Sequence, residues 1–151
     1  MRNVVRIITI AGAVVALSTV APATADGQGR TVVQGAGRGS ANLSAAIRVG
    51  DMIYASGQLP AAGDSTIEGQ TTSTMNRIKT IFEAAGTSMD NAVKCTVFLI
   101  DGKDFQGMNS SYSKFWSPEK PPPARSTIVV AALVVPNAKL EIECFAAMPK
   151  P

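Results

Sequence analysis

The chain has 151 residues, with 14 Lys or Arg, 11 Asp or Glu, two Cys and no His. The absence of histidine excludes Ser-His-Asp and Cys-His catalytic arrangements and removes most zinc sites. The length suits one domain with a single hydrophobic core.

Residues 1–25 have the organisation of a secretory signal peptide. Two arginines mark the start, residues 7–21 are mostly apolar, and the triplet at residues 23–25 has the small-x-small form that precedes a signal peptidase cut. The apolar run is shorter than the roughly 20 residues that span a bilayer. We therefore expect cleavage near Ala25/Asp26, a mature chain in the periplasm or outside the cell, and no membrane association after cleavage.

Removal of that segment leaves a nearly balanced charge. Two of the 14 basic residues lie in it, so the mature chain carries 12 basic and 11 acidic residues. No Lys/Arg cluster or basic stripe with interleaved aromatic residues remains, which disfavours nucleic-acid binding. Residues 26–44 are rich in Gly, Ser and Gln and are expected to form a flexible leader. Residues 45–151 are expected to form the domain.

The first elements of the domain are a hairpin and a helix. Residues 45–49 and 52–58 flank a Gly-Asp turn and predict two antiparallel strands. Apolar residues at helical spacing then predict a helix that Gly86 ends as a left-handed cap. The apolar stripe of this helix consists of Thr71, Met75, Ile78, Phe82 and Ala85.

The next strand, residues 93–100, is apolar on both faces, so both need cover. One helical layer covers one face, and the other must meet a second sheet or another subunit. A second helix follows Asp101 and Asp104, and two strands at residues 125–133 and 139–147 complete the chain. The apolar stripe of this second helix consists of Phe105, Met108, Tyr112 and Phe115. This order predicts an α+β domain, a sheet with two helices on one face.

The two cysteines, Cys95 and Cys144, both lie in apolar strand-like runs. A buried thiol is the ordinary outcome in such a run. Export would permit a disulfide, but the sequence does not place the two α-carbons within bridging distance. We expect a free buried pair rather than a bridge.

Arg125 follows three prolines and opens a predicted strand, so its guanidinium should enter the sheet at a fixed point. A guanidinium is planar and permanently charged, and it can bind a small carboxylate through two parallel hydrogen bonds. The alternative, which this segment alone favours, is an ion pair with Glu141 or Glu143 of the last strand.

Six short motifs resemble the RidA (YjgF/YER057c/UK114) family of small trimeric proteins. They occur in the family's order, with the expected elements between them, over about residues 45–148. The motifs are GDMIYASGQ at 50–58, EAAG at 83–86, VKCTVFL at 93–99, Asp104-Phe105 with Asn109 and Tyr112, PARS at 123–126 and LEIE at 140–143.

The resemblance implies a chorismate-mutase-like fold with a mixed sheet. It also implies a homotrimer in which three sheets pack into a central barrel, with sites in the clefts between subunits. Family members with the full site hydrolyse 2-enamine and 2-imine acids, such as 2-aminoacrylate, to 2-oxo acids and ammonia. No cofactor or metal is required, because the imine is already electrophilic.

The resemblance also implies roles for individual residues. Arg125 would bind the substrate carboxylate, and Glu141 would orient a water toward the imine carbon and carry its proton. The substrate would be a small carboxylate-bearing imine, and the product a 2-oxo acid. The implied substrate-binding residues are Ser56, Gly57, Asn109 and Thr127.

The chain departs from the family pattern at three places. Leu43 stands where active members carry a Tyr, Thr127 stands where they often carry a Cys, and the loop at residues 134–138 is one residue longer. The alternative function is therefore a non-catalytic trimer that binds small carboxylates or partner proteins in the same clefts. A nuclease role, suggested for some relatives, ranks third because the chain has no histidine and no basic surface signal.

Overall fold

The structure is a computed structural model that describes residues 29–37 and 39–150. The predicted signal peptide, residues 1–25, lies outside the described residues. Within the described part of the chain, no helix is both long enough and apolar enough to cross a membrane.

A six-stranded mixed sheet forms one layer of the domain, with strand order β1-β2-β3-β6-β4-β5. Neighbouring strands are antiparallel except for β4 and β5, which are parallel and are connected through the second helix. The strands are β1 Arg30–Val32, β2 Ala46–Val49, β3 Met52–Ala55, β4 Ala92–Leu99, β5 Ala124–Val129 and β6 Leu140–Ala147. The helices are α1 Ile67–Ala84 and α2 Phe105–Tyr112, and short 3-10 turns occur at Met89–Asn91, Gly102–Asp104 and Ser113–Phe115.

Helix α1 begins and ends at residues that satisfy its free backbone groups. The Thr66 hydroxyl accepts a hydrogen bond from the Gly69 N–H at 3.1 Å. Gly86 has a φ of +81°, and the Thr87 N–H donates to the Phe82 carbonyl at 2.9 Å. The left-handed Gly86 and this hydrogen bond form a Schellman motif at the end of α1, which confirms the predicted glycine cap.

The hydrophobic core lies between the helices and one face of the sheet. Alternate residues of β4 and β6 are buried against this layer, as strand periodicity requires. The buried strand residues include Cys95, Val97, Leu99, Leu140, Ile142 and Cys144, and the buried helix residues include Met75, Ile78, Phe82 and Met108. The prediction of an α+β domain with two helices on one sheet face is confirmed.

The opposite face of the sheet has no covering layer in the described part of the chain. Phe98 and Phe145 lie on this face together with Tyr54 and Ile128, which are 41% and 47% exposed. Strand β4 was predicted to be apolar on both faces, and this prediction holds at Phe98. It fails at Val93, because a β-bulge between Ala92 and Lys94 shifts the register and leaves Val93 47% exposed.

Several predicted boundaries differ from the structure, among them those of the leader and the end of β5. Within residues 26–44, predicted to be a flexible leader, Arg30–Val32 forms strand β1 and pairs with β2. Two of its residues are β-branched, and they give the edge of the hairpin a partner. Strand β5 ends at Val129 rather than at residue 133.

The prediction of two free cysteines is wrong. Cys95 and Cys144 form a disulfide, and both are fully buried. They lie directly opposite each other on antiparallel β4 and β6, with their α-carbons 4.1 Å apart. Directly opposed residues of an antiparallel pair approach to about 4.5–5.5 Å, which is within bridging distance. Strand pairing, which the sequence pattern does not specify, therefore brings the two cysteines within bonding distance.

Candidate functional site

Arg125 enters the sheet at the start of edge strand β5. It pairs with Cys95 of the parallel strand β4, so its side chain projects toward the helical layer. There its guanidinium carbon lies 4.7 Å from the ring centroid of Tyr112 and 5.9 Å from that of Phe105. Both distances are within the range of a cation–π contact. The side chain remains half-buried, because β5 has a neighbour on one side only.

The alternative pairing of Arg125 with a glutamate of the last strand is wrong. Glu141 and Glu143 pair with Phe98 and Thr96, which places both carboxylates on the sheet face away from the helices. No carboxylate of the described residues lies within 4.0 Å of the Arg125 guanidinium. Its N–H donors therefore remain available for a ligand.

A cavity of about 340 Å³ opens beside Arg125. Asn109 of α2 lines it, so the structure brings these two predicted site residues together. Thr127 lies two residues further along the same face of β5 but does not line this cavity. The lining residues are Asn109, Tyr112, Ser113, Trp116, Pro122, Pro123 and Arg125.

Tyr112, which sequence reasoning placed in the core without a role at the site, also lines this cavity. Burial raises the pKa of its phenol to about 12, and the nearby Arg125 charge opposes this only partly. The phenol is therefore neutral at physiological pH. The helical stripe predicted that Tyr112 faces the core. The register of β5, which brings Arg125 over the ring, has no signal in the sequence.

Ser56 and Gly57 lie where strand β3 continues alongside β6. The neighbouring Gln58 exchanges two backbone hydrogen bonds with Ile142, at 2.8 and 3.0 Å. The Glu141 side chain lies against the Gly57 α-carbon, so a Cβ at this position would overlap Glu141 Oε1. A side chain at this position would displace the Glu141 carboxylate.

A second cavity, of about 440 Å³, adjoins the Ser56-Gly57 segment. The Ser56 hydroxyl donates to the Ser44 carbonyl at 2.7 Å and is thereby fixed in orientation. Leu43, at the position where the family pattern has Tyr, lines the cavity together with Arg77 of α1. Arg77 was not predicted, because an isolated cation on an exposed helical face is usually only solvated.

The predicted site residues thus form two half-sites on one chain. The arginine half-site contains Arg125 and Asn109 and lies on the helical side of the sheet. The glutamate half-site contains Ser56, Gly57 and Glu141. Because Arg125 and Glu141 project from opposite faces of the sheet, one chain does not bring them together.

A further cavity, of about 700 Å³, includes none of the predicted site residues. It contains an ion pair between Lys139 Nζ and Asp104 Oδ2 at 3.2 Å, with Asp64 and Asp101 nearby. In residues 29–37 and 39–150, no group of three or more His, Cys, Asp or Glu side chains could hold a metal ion.

Fold and site together define a class of small α+β protein with a divided site, an arginine in one half and a glutamate in the other. The profile of the family described as Endoribonuclease L-PSP matches residues 36–148. The chain therefore belongs to this family, which is the RidA (YjgF/YER057c/UK114) family that its motifs indicated.

Individual relatives agree with this assignment. The chain is 42% identical to a RutC family protein of Saccharolobus solfataricus over 96 residues, which cover 60% of this chain and 75% of that protein. It is 38% identical to the chloroplastic Reactive Intermediate Deaminase A of Arabidopsis thaliana over 111 residues, covering 70% of this chain and 58% of that protein. The crystal structure of yeast Mmf1 superposes with a TM-score of 0.73 at 31% identity, covering 80% of this chain and 99% of Mmf1.

Proposed function

We propose that this protein hydrolyses 2-enamine and 2-imine acids to 2-oxo acids and ammonia. The observation that carries the proposal is the Arg125 guanidinium, which faces a cavity on an aromatic support and has no acidic partner among the described residues. The Arabidopsis relative is named as a deaminase of reactive intermediates, which supports the same class of chemistry.

The mechanism follows from the two charged residues. Arg125 binds the substrate carboxylate through two parallel N–H donors, which fixes the imine carbon in position. The Glu141 carboxylate accepts a proton from a water as its oxygen attacks the imine carbon. That proton passes to the nitrogen of the tetrahedral adduct. The hydroxyl proton of the adduct then moves to the same nitrogen as the C–N bond breaks, so the C=O bond forms and ammonia leaves. Asn109 lines the carboxylate end, and the Ser56-Gly57 segment lies beside the glutamate.

The divided site requires a second subunit in this proposal. Arg125 of one protomer and Glu141 of its partner would meet in a cleft between them, in a homotrimer whose three sheets form a central barrel. The uncovered sheet face supports this assembly, because it leaves Ile128 and Tyr54 exposed to water in the isolated chain. Burial of this face in a trimer would remove the exposed apolar surface.

The test is an imine-hydrolysis assay. Purified protein is added to an amino-acid oxidase that generates imines, and release of 2-oxo acid is followed. We expect acceleration by the wild type and a loss of about 100-fold or more in Arg125→Ala, because the carboxylate anchor also orients the reacting carbon. Light scattering of the same preparation should give the mass of three chains. No acceleration by the wild type, or undiminished acceleration by Arg125→Ala, would refute the deaminase. A stable monomer would refute the site between subunits.

Leu43 favours a second candidate function, a non-catalytic module that binds small carboxylates. It gives the cavity beside Ser56 and Gly57 an apolar wall in place of a phenol. Calorimetric binding of 2-oxobutyrate without turnover in the oxidase assay would support this module. The family description also mentions endoribonuclease activity. The lack of histidine and the nearly balanced charge of this chain disfavour RNA cleavage.

We propose further that the protein is exported and that residues 1–25 are removed. The Cys95–Cys144 disulfide supports this, because disulfides persist mainly in oxidising compartments. N-terminal sequencing of protein recovered from the periplasm or medium should begin at Asp26. An intact Met1 on cytoplasmic protein would contradict export.

A further inference from the structure

We propose that Tyr112 is a positioning residue whose aromatic ring holds the Arg125 guanidinium in the orientation that receives the substrate carboxylate. This inference rests on the proposed carboxylate-binding role of Arg125. It assigns to Tyr112 a function beyond packing in the core.

The first support is the geometry of the contact. The Arg125 guanidinium carbon lies 4.7 Å from the Tyr112 ring centroid, and the Phe105 ring lies at 5.9 Å. A contact with the ring face leaves all five guanidinium N–H groups, which lie in the plane of the fork, free to donate. An ion pair with a carboxylate of the same chain would occupy those donors. An aromatic support therefore orients the fork without competing with the ligand.

The second support is that the ring itself is fixed. Tyr112 is only 4% exposed, and its ring packs against Trp116 with the centroids 5.0 Å apart. Phe105 and Tyr112 stand seven residues apart, two helical turns, and so share one face of α2. A flexible arginine on an edge strand would otherwise lose considerable side-chain entropy on binding a ligand.

The third support indicates that the aromatic ring of Tyr112, and not its hydroxyl, has the positioning role. The Tyr112 hydroxyl is buried and has no hydrogen-bond partner among the described residues. A phenol needed for structure would be expected to have such a partner. Its pKa of about 12 also leaves almost no phenolate at neutral pH to act as a base. The role therefore belongs to the ring, and phenylalanine should fulfil it.

The test measures 2-oxobutyrate binding by calorimetry and imine hydrolysis in the oxidase assay, using the assembled protein. Tyr112→Phe should bind within about twofold of the wild type. Tyr112→Leu should bind about tenfold more weakly, in line with a partly desolvated cation–π contact. The loss should appear in KM, with kcat changed less than about threefold, because the support acts on substrate binding. Phe105→Leu should give a smaller loss, because its ring is more distant.

Two controls separate positioning from general damage. Phe82→Leu removes a buried aromatic ring of α1 that does not line the Arg125 cavity, so it should lower the melting temperature without changing affinity. In an Arg125→Lys background, which retains the charge but not the planar fork, Tyr112→Leu should change affinity less than about twofold.

Three outcomes would overturn the inference. A folded Tyr112→Leu protein that binds 2-oxobutyrate as well as the wild type would show that the ring does not position Arg125. A tenfold loss in Tyr112→Phe would transfer the role to the hydroxyl. If Tyr112→Leu fails to fold, equal affinities of Phe105→Leu and the wild type would overturn it instead. Failure of the wild type to bind any small carboxylate would refute the role of Arg125 itself.

Discussion

Mixing Arg125→Ala protein with Glu141→Ala protein should restore activity that neither variant has alone. Each variant should lose about 100-fold or more in kcat/KM, because each lacks one of the two groups that act on the substrate. In a trimer whose sites take the arginine from one subunit and the glutamate from its neighbour, random 1:1 mixing restores about a quarter of the sites. Activity after exchange should therefore approach a quarter of the wild-type value.

The experiment needs proof of exchange and a matched arginine control. Tagged subunits followed by native mass spectrometry establish that mixed trimers form. Arg48→Ala removes a partly exposed arginine whose contact with Asp51 is a surface pair at 4.0 Å, so it should retain wild-type activity. Mixed trimers without restored activity would contradict a site shared between subunits.

Replacing both cysteines, Cys95→Ala with Cys144→Ala, should lower the free energy of unfolding by about 4 kcal/mol. The bridge joins residues 49 positions apart, and the chain-entropy relation for a closed loop of that length gives this value. Urea unfolding at a fixed protein concentration measures the difference, since dissociation of an oligomer makes the midpoint depend on concentration.

Reduction of the wild type serves as the matched control. With a reductant present, the free energy of unfolding of the wild type should be close to that of the double-alanine variant. The reductant should not change the free energy of unfolding of the variant. Equal stability of oxidised and reduced wild type would show that the bridge contributes nothing. Imine hydrolysis by the folded variant should be retained, because neither sulfur lines the Arg125 cavity.

The local elements were predictable because short-range chemistry specifies them. The spacing of Met75, Ile78 and Phe82 predicted the buried face of α1, and Gly86 predicted its end. The strand at β4 was placed within one residue, but its bulge at Val93 was not foreseen. A bulge depends on how a strand pairs with its neighbour, and hydrophobic periodicity carries no information on the pairing register.

The site was predicted as a set of residues but not as an arrangement. Arg125 was a candidate from its position after three prolines, and the other five came from motif resemblance. The structure groups Arg125 with Asn109 and Glu141 with Gly57. The segment around Arg125 alone predicts an ion pair between Arg125 and a glutamate of the last strand. The parallel register of β5 on β4 excludes it, because it turns Arg125 toward the helices while Glu141 projects from the other face.

By itself, the sequence determined the α+β class, the end of α1 at Gly86 and the residue types available for chemistry. These depend on interactions between residues a few positions apart, whose spacing is visible in the chain. Only the tertiary structure decided that Cys95 and Cys144 are bonded, that the Tyr112 ring lies against Arg125, and that the two half-sites face apart. Each of these joins segments brought together by strand order and register. Strand order and register depend on how the whole sheet face is buried, and no single segment of the sequence specifies that burial.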